Sequence, residues 1–254
     1  MKKRIYTGYE EIDKEIGGLC SGEVTLIGGK PSMGKTALAL KIALNVAKSG
    51  KSVTFFSAES SPVENELRLA SMISGIPYYN IWKWNLTDEE WDLLKITMRD
   101  IKKLPIRFLY TETIQQMKYA CDNITQTNDL IVYDCLQLIR YKLTEIKDST
   151  QELTPNDYSK EFKRLARKYN AAVIVTSQLA RKLDRRKDKH PKISDLRIEN
   201  PYSADYDQAF LIYRESLYDL DAPNDSAEMT IVCLKKDLKE TYMLSWNVDK
   251  CLFE

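Results

Sequence analysis

Residues 29 to 36 read Gly29-Lys30-Pro31-Ser32-Met33-Gly34-Lys35-Thr36, a G-x-x-x-x-G-K-T string without mismatch. Residues of these types at this spacing bind phosphate. Glycines let the backbone turn so tightly that several N–H groups face one point, and a helix starting there adds the positive end of its dipole. Lys35 would reach the β- and γ-phosphates of a nucleoside triphosphate, and the Thr36 hydroxyl would hold Mg²⁺. Three more polar residues end or follow apolar runs. Asp134 closes Leu130-Ile131-Val132-Tyr133, Glu59 comes shortly after Val53-Thr54-Phe55-Phe56, and Gln178 follows Ala172-Val173-Ile174-Val175-Thr176. Ligands of open α/β sheets bind beyond the carboxyl ends of the strands, so all three would face the triphosphate. Asp134 there would support the metal, Glu59 would activate the attacking water, and Gln178 would sense the γ-phosphate. Taken alone, Glu59 also reads as a solvated loop acid and Gln178 as a surface residue.

A second chemistry is local charge. Between Arg181 and Lys192 there are seven cations, Arg181, Lys182, Arg185, Arg186, Lys187, Lys189 and Lys192, against Asp184 and Asp188. The chain as a whole carries only +1. A mobile basic loop just after Gln178 would grip the phosphate backbone of single-stranded nucleic acid. The plainer alternative is a solvated charged loop. His190, the one histidine, is followed by Pro191 and takes no catalytic role.

These residues need a frame to hold them. Val24-Thr25-Leu26-Ile27 reads as a buried strand before the glycine loop, and Ala37 to Ala43 as a helix after it. Val53–Phe56, Ile106–Leu109, Leu130–Asp134 and Ala172–Thr176 read as further strands without polar alternation. Ser61-Pro62-Val63-Glu64 and Thr87-Asp88-Glu89-Glu90 are capping boxes, the second opening a helix to about Lys103. A further helix is expected from about Asp157 to Tyr169. Strands alternating with helices predict an α/β fold with a mostly parallel twisted sheet covered by helices on both faces. Ala209–Tyr213, Met229–Leu234 and Thr241–Trp246 lack helices between them and are expected to form an antiparallel extension at the C-terminal edge. Trp82, Trp84 and Trp91 flank the second capping box and are expected to pack within a helical hairpin.

Bulk composition narrows the classes. The chain has 254 residues with 43% hydrophobic content, enough for one large domain spanning 1–254. Its five scattered cysteines include no C-x-x-C pair, which argues against a zinc site or a disulfide framework and for a reducing compartment. No apolar run reaches membrane-spanning length, and a soluble cytoplasmic protein without a membrane partner is expected.

Taken together, the chain resembles the RecA-like P-loop NTPase motor domain of DnaB-type hexameric replicative helicases, from about Thr7 to Trp246. Pro31-Ser32-Met33-Gly34-Lys35-Thr36 looks like that family's phosphate loop, and Phe55-Phe56-Ser57-Ala58-Glu59-Ser60 is similar to its F-F-S-L-E-M segment. Asp134-Cys135-Leu136-Gln137-Leu138-Ile139 resembles D-Y-L-Q-L-I, and Thr176-Ser177-Gln178-Leu179 its S-Q-L sensor. Asp188-Lys189-His190-Pro191, Ser194-Asp195-Leu196-Arg197, Asp205-Tyr206-Asp207 and Tyr213-Arg214 resemble D-K-R-P, S-D-L-R, D-A-D and Y-R. The resemblance implies ATP and Mg²⁺ as ligands and Glu59 as catalytic base. It places Arg68 where the family has an arginine on the next helix. It also implies motion on single-stranded DNA, a hexameric ring or helical homo-oligomer, and contacts with other replication proteins in a bacterial or phage-infected cell. Loops near 142–156 and Arg181–Lys192 would face the DNA.

Three departures stand out. The family's K-x-R-N-G places a lysine and an arginine on the neighbouring subunit's γ-phosphate. Here Lys235 matches the lysine, but Asp237 occupies the arginine's place. Ser203-Ala204-Asp205 stands for E-Q-D. The sequence starts almost at the motor domain, so no N-terminal helical domain is expected. The alternative to a helicase is therefore an ATP-binding DNA-associated adaptor, or a weak ATPase that does not unwind.

Overall fold

The computed structural model describes residues 2–124, 127–139, 155–197, 205–235 and 238–254. A short antiparallel pair, β1 (Arg4–Ile5) and β2 (Leu19–Cys20), brackets helix α1 (Glu10–Ile16). The first sheet strand, β3 (Val24–Gly29), runs into the glycine loop and α2 (Lys35–Lys48). Then come β4 (Val53–Ser57), α3 (Pro62–Ser74), α4 (Tyr78–Lys83), α5 (Asp88–Ile101), β5 (Ile106–Tyr110), α6 (Ile114–Asn123) and β6 (Leu130–Asp134). Helix α7 (Pro155–Lys168) leads to β7 (Ala172–Gln178), followed by β8 (Gln208–Tyr213), β9 (Ser226–Cys233), β10 (Leu238–Asn247) and β11 (Leu252–Phe253).

The main sheet has nine strands in the order β11-β10-β9-β8-β3-β7-β6-β4-β5. From β8 to β5 every pairing is parallel, and the C-terminal strands β9 to β11 add antiparallel. Strand β8 thus differs from expectation. It was grouped with the antiparallel extension but lies parallel to β3, with Ile27 opposite Phe210. The connection 179–207 is long enough for the crossover that parallel pairing needs, although no long helical pattern marks it.

Alternate residues of the inner strands enter two apolar clusters. Phe55, Leu130, Val132, Ile174 and Phe210 pack with α2 and α3 on one face, and Phe56, Ile131, Tyr133, Val173 and Val175 pack with α6 and α7 on the other. A strand buried on both faces must be apolar at every position, which explains the continuous runs in the sequence. Strand β10 is largely exposed and carries polar residues such as Lys239, Glu240 and Thr241.

The helix starts follow their caps. Both expected boxes form, with Ser61 Oγ accepting from Glu64 N and Thr87 Oγ1 from Glu90 N, each at 3.2 Å. A third box, Thr113 with Gln116, starts α6, which the sequence reading did not include. Trp84 and Trp91 stack with ring centroids 5.5 Å apart on the α3–α5 hairpin. Trp82 and Trp84 are nonetheless more than half exposed, so they cover the hairpin without entering its core. All five cysteines are free. Among the described residues, no helix is long and apolar enough to cross a membrane.

Candidate nucleotide site

Helix α2 begins differently from its neighbours. The first turns of α1, α3 and α5 hold acidic residues, as the helix dipole favours. The first turn of α2 holds no acid, starts with Lys35, and has no side-chain cap. A cation at a helix N-terminus with uncapped N–H groups is unfavourable by itself, and it is the arrangement that receives an anion. Gly34 takes φ 99°, which a side chain would strain, and a Cβ there would stand 2.6 Å from the Phe253 ring. The loop is therefore shaped by β11 as well as by its own residues.

Lys35 is buried, and its Nζ donates to Lys30 O at 3.1 Å. Burial holds its pKa below the ordinary lysine value, opposed by the charge of Asp134 and Glu59. The Thr36 hydroxyl donates to Asp134 Oδ2 at 2.9 Å, and Thr176 donates to Asp134 Oδ1. Asp134 is 1% exposed, and burial raises its pKa against the help of these two hydroxyls and Lys35. A hydroxyl and a carboxylate side by side at a strand end form a hard-oxygen donor set that fits Mg²⁺.

The register brings the other candidates to the same edge. Ser57 pairs with Asp134 and Gly29 with Gln178, so the ends of β4, β6, β3 and β7 lie together. Glu59, two residues beyond β4, is exposed there, with its backbone N–H on Ser57 Oγ. Gln137 accepts from Gln178 N at 2.8 Å and donates to Ser177 Oγ at 2.9 Å, fixing the end of β7. Arg68 on α3 is half-buried and lies over the Tyr78 ring at 4.8 Å. Its Nε is buried without a hydrogen-bond partner. Its charge reaches Asp134, whose pKa it lowers slightly.

Other residues of this edge had no role assigned from sequence. Arg214, 5% exposed, donates to Ser32 O and to Asn224 Oδ1, each at 3.2 Å, and lies 4.4 Å from the Trp246 ring centre. Trp246 in turn meets Phe253 at 4.5 Å between centroids. Arg214, Trp246 and Phe253 together back the phosphate loop from the C-terminal strands. Tyr213-Arg214 was visible as a string, but nothing local shows that the arginine folds onto Ser32.

Lys235 lies elsewhere. It follows β9 near Cys233, which pairs with Gln208 at the start of β8, and Gln208 in turn pairs with Thr25 near the start of β3. That is the amino end of the parallel strands, opposite the loop that follows Gly29. Its Nζ pairs with Asp207, which also accepts from Lys163 and, at 2.7 Å, from Val24 N. Lys235 is thus remote from this chain's own loop. Asp237, Ser203, Ala204 and the loop 142–154 lie outside the described residues.

The basic segment is more built than a mobile loop. Residues Arg181–Arg185 form a 3-10 turn anchored by buried Leu183. Arg186 makes two bonds to Asp195, at 2.8 and 3.0 Å, and Lys189 Nζ donates to Asp184 O at 2.7 Å. These two cations serve the turn itself. The residues that present charge to solvent are Arg181, Lys182, Arg185 and Lys187.

Comparison with known proteins agrees with this geometry. Residues 4–254 match the model of the DnaB-like helicase C terminal domain. The chain is 32% identical over 238 residues to the replicative DNA helicase DnaC of Bacillus subtilis and, over the same length, to the replicative DNA helicase DnaB of Geobacillus stearothermophilus. Each alignment covers 92% of this chain and 52% of the relative, so the chain spans about half the length of these relatives. A solved DnaB-like replicative helicase, described with its interactions with primase, superimposes with a TM-score of 0.83 at 26% identity, covering 98% of this chain and 62% of that one. A solved helicase-type ATPase domain gives a TM-score of 0.84 at 26% identity, covering 98% and 90%. With the family model spanning nearly every residue, the RecA-like fold in common and the loop, acid and sheet order all in place, the chain belongs to the DnaB-like helicase C-terminal domain family.

Proposed function

We propose that this chain is an ATP-driven motor domain that moves on single-stranded DNA in replication, working in an assembly of several copies. The observation that carries this reading is the cluster of Lys35, Thr36 and Asp134 at the uncapped start of α2, with Glu59 exposed on the same edge. Backbone N–H groups and Lys35 bind the triphosphate tail. Thr36 and Asp134 hold Mg²⁺, which neutralises charge on the phosphates when bound. Glu59 orients and deprotonates the attacking water, and Gln178 reports on the γ-phosphate to the turn that follows it. Gln137 holds Gln178 in register. Lys235, remote from its own loop, acts on the triphosphate of a neighbouring copy. Arg181, Lys182, Arg185 and Lys187 face the DNA backbone. Residues 1–254 work as one domain.

The test is an ATPase assay with and without single-stranded DNA, beside a strand-displacement assay. DNA-stimulated hydrolysis with unwinding is the expected result. The second reading, an ATP-binding adaptor that does not unwind, is favoured by Asp237 standing where a cation is expected. A carboxylate there repels the neighbour's phosphate, and a trans arginine contributes about 10³-fold or more in rate in related phosphoryl transfers. Hydrolysis that is slow in the wild type and rises strongly in Asp237→Arg would decide for that reading.

A further inference from the structure

The two ends of Lys30 do different things. Its carbonyl accepts Lys35 Nζ at 3.1 Å, and its own ammonium group pairs with the Asp184 carboxylate. The Lys30 side chain is 18% exposed and that of Asp184 46%. Asp184 belongs to the 3-10 turn that presents Arg181, Lys182 and Arg185. That turn is fastened to the end of β7 at several points. Leu179 bridges Leu196, Arg197 N donates to Gln178 O, and Ala180 N donates to Asp195 O at 2.7 Å. Arg186 grips the Asp195 carboxylate, and Lys189 closes on Asp184 O. A cationic turn held as one unit therefore touches the phosphate loop through a single acid's charge.

An ion pair this open adds little to stability. Its consequence is positional. A triphosphate in the loop brings negative charge against the loop's ammonium groups, so Lys30 then has two anionic partners in competition. Repulsion between that charge and the Asp184 carboxylate acts in the same direction. Loop occupancy thus alters the restraint on the turn, and by linkage a polyanion on the turn must alter nucleotide affinity by the same factor.

We propose that Asp184 is a positioning residue: through Lys30 it ties the cationic turn to the phosphate loop, so that triphosphate binding sets the turn's affinity for single-stranded DNA. The inference rests on the proposed ATP and DNA sites above. The test is the ratio of affinities for a fluorescent oligothymidylate without and with a non-hydrolysable ATP analogue and Mg²⁺. It is measured for the wild type, Asp184→Asn, Asp184→Glu, Lys30→Met and the double variant Lys30→Met/Asp184→Asn. The ratio is expected at about tenfold in the wild type and within about twofold of unity in Asp184→Asn and Lys30→Met. Asp184→Glu keeps the wild-type ratio, and the double variant is no worse than either single. A wild-type ratio in Asp184→Asn overturns the inference. So does a DNA affinity that drops equally with and without nucleotide, because that is a purely local effect. A wild type that binds both ligands with a ratio of one also overturns it while leaving the functional reading intact. A wild type that binds no nucleotide or no DNA removes that reading, and this inference with it.

Discussion

The two ends of the parallel strands each bury an aspartate beside lysines, and they use it in opposite ways. At the amino end, Asp207 accepts from Val24 N–H, Lys163 and Lys235. Every oxygen has a firm donor, and the carboxylate is balanced by two cations. At the carboxyl end, Asp134 has two hydroxyls for partners, and Lys35 rests on a carbonyl of its own loop. Its charge is costly enough that burial raises its pKa. The first arrangement is a fastening that joins β3, α7 and the β9–β10 connection. The second is a set of groups whose partners can be exchanged, which a binding site requires.

Breaking each aspartate sharpens the contrast. Asp207→Ala leaves Lys163 buried without its carboxylate, and the loss in unfolding free energy is expected at about 3–5 kcal/mol in urea titration. Asp134→Asn keeps an acceptor for Thr36 and Thr176. Its stability is expected within about 1 kcal/mol of the wild type, while ATP hydrolysis falls at least about 100-fold. If Asp134→Asn unfolds as readily as Asp207→Ala, the carboxyl end is a fastening too and the contrast fails.

The same contrast separates what was legible in the sequence from what was not. The phosphate loop, Asp134 and the boxes at Ser61 and Thr87 are local: every atom involved lies within a few residues, so spacing alone predicts the contacts. The apolar runs likewise announce strands buried on both faces. The box at Thr113 and Gln116 was equally local, and its pattern was there to be read. Strand β8 was placed in the wrong group because strand direction is decided by a crossover, and residues 179–207 carry no helical period. The pairings of Lys30 with Asp184, Arg214 with Ser32 and Phe253 with Gly34 join segments far apart in sequence. No spacing rule reaches across such distances. Asp207 stood out within a familiar string, yet its role as partner of Lys235 needed the hairpin between β8 and β9.

A smaller effect probes how far the C-terminal strands shape the loop. Gly34→Ala forces a Cβ into the Phe253 ring and a left-handed backbone onto alanine. It is expected to cost about 1–3 kcal/mol and to weaken nucleotide binding. Adding Phe253→Leu should recover part of the loss by opening space. No recovery would mean that backbone strain alone matters and that β11 is a bystander.

The smallest expected effect lies at His190, beside Tyr213 at 4.2 Å between ring centroids. Burial lowers its pKa, but the bonds to Asp188 and Glu228 outweigh burial and raise it above the ordinary value of 6.5. A group whose folded pKa is raised stabilises fully below its unfolded pKa and loses that contribution as pH rises through the folded value. Thermal unfolding should therefore show a slight drop in melting temperature as pH climbs past that point, and His190→Gln should remove it. A drop unchanged in His190→Gln assigns it to another group.

The central claim is that a nucleoside triphosphate docks at the start of α2 through Lys35. Calorimetric titration of the chain with ATP and excess Mg²⁺ tests it most directly. Saturable binding at one site per chain, lost in Lys35→Ala with the fold intact, is the predicted result. A wild-type chain that takes up no triphosphate, or a Lys35→Ala chain that binds it as well as the wild type, would contradict the account.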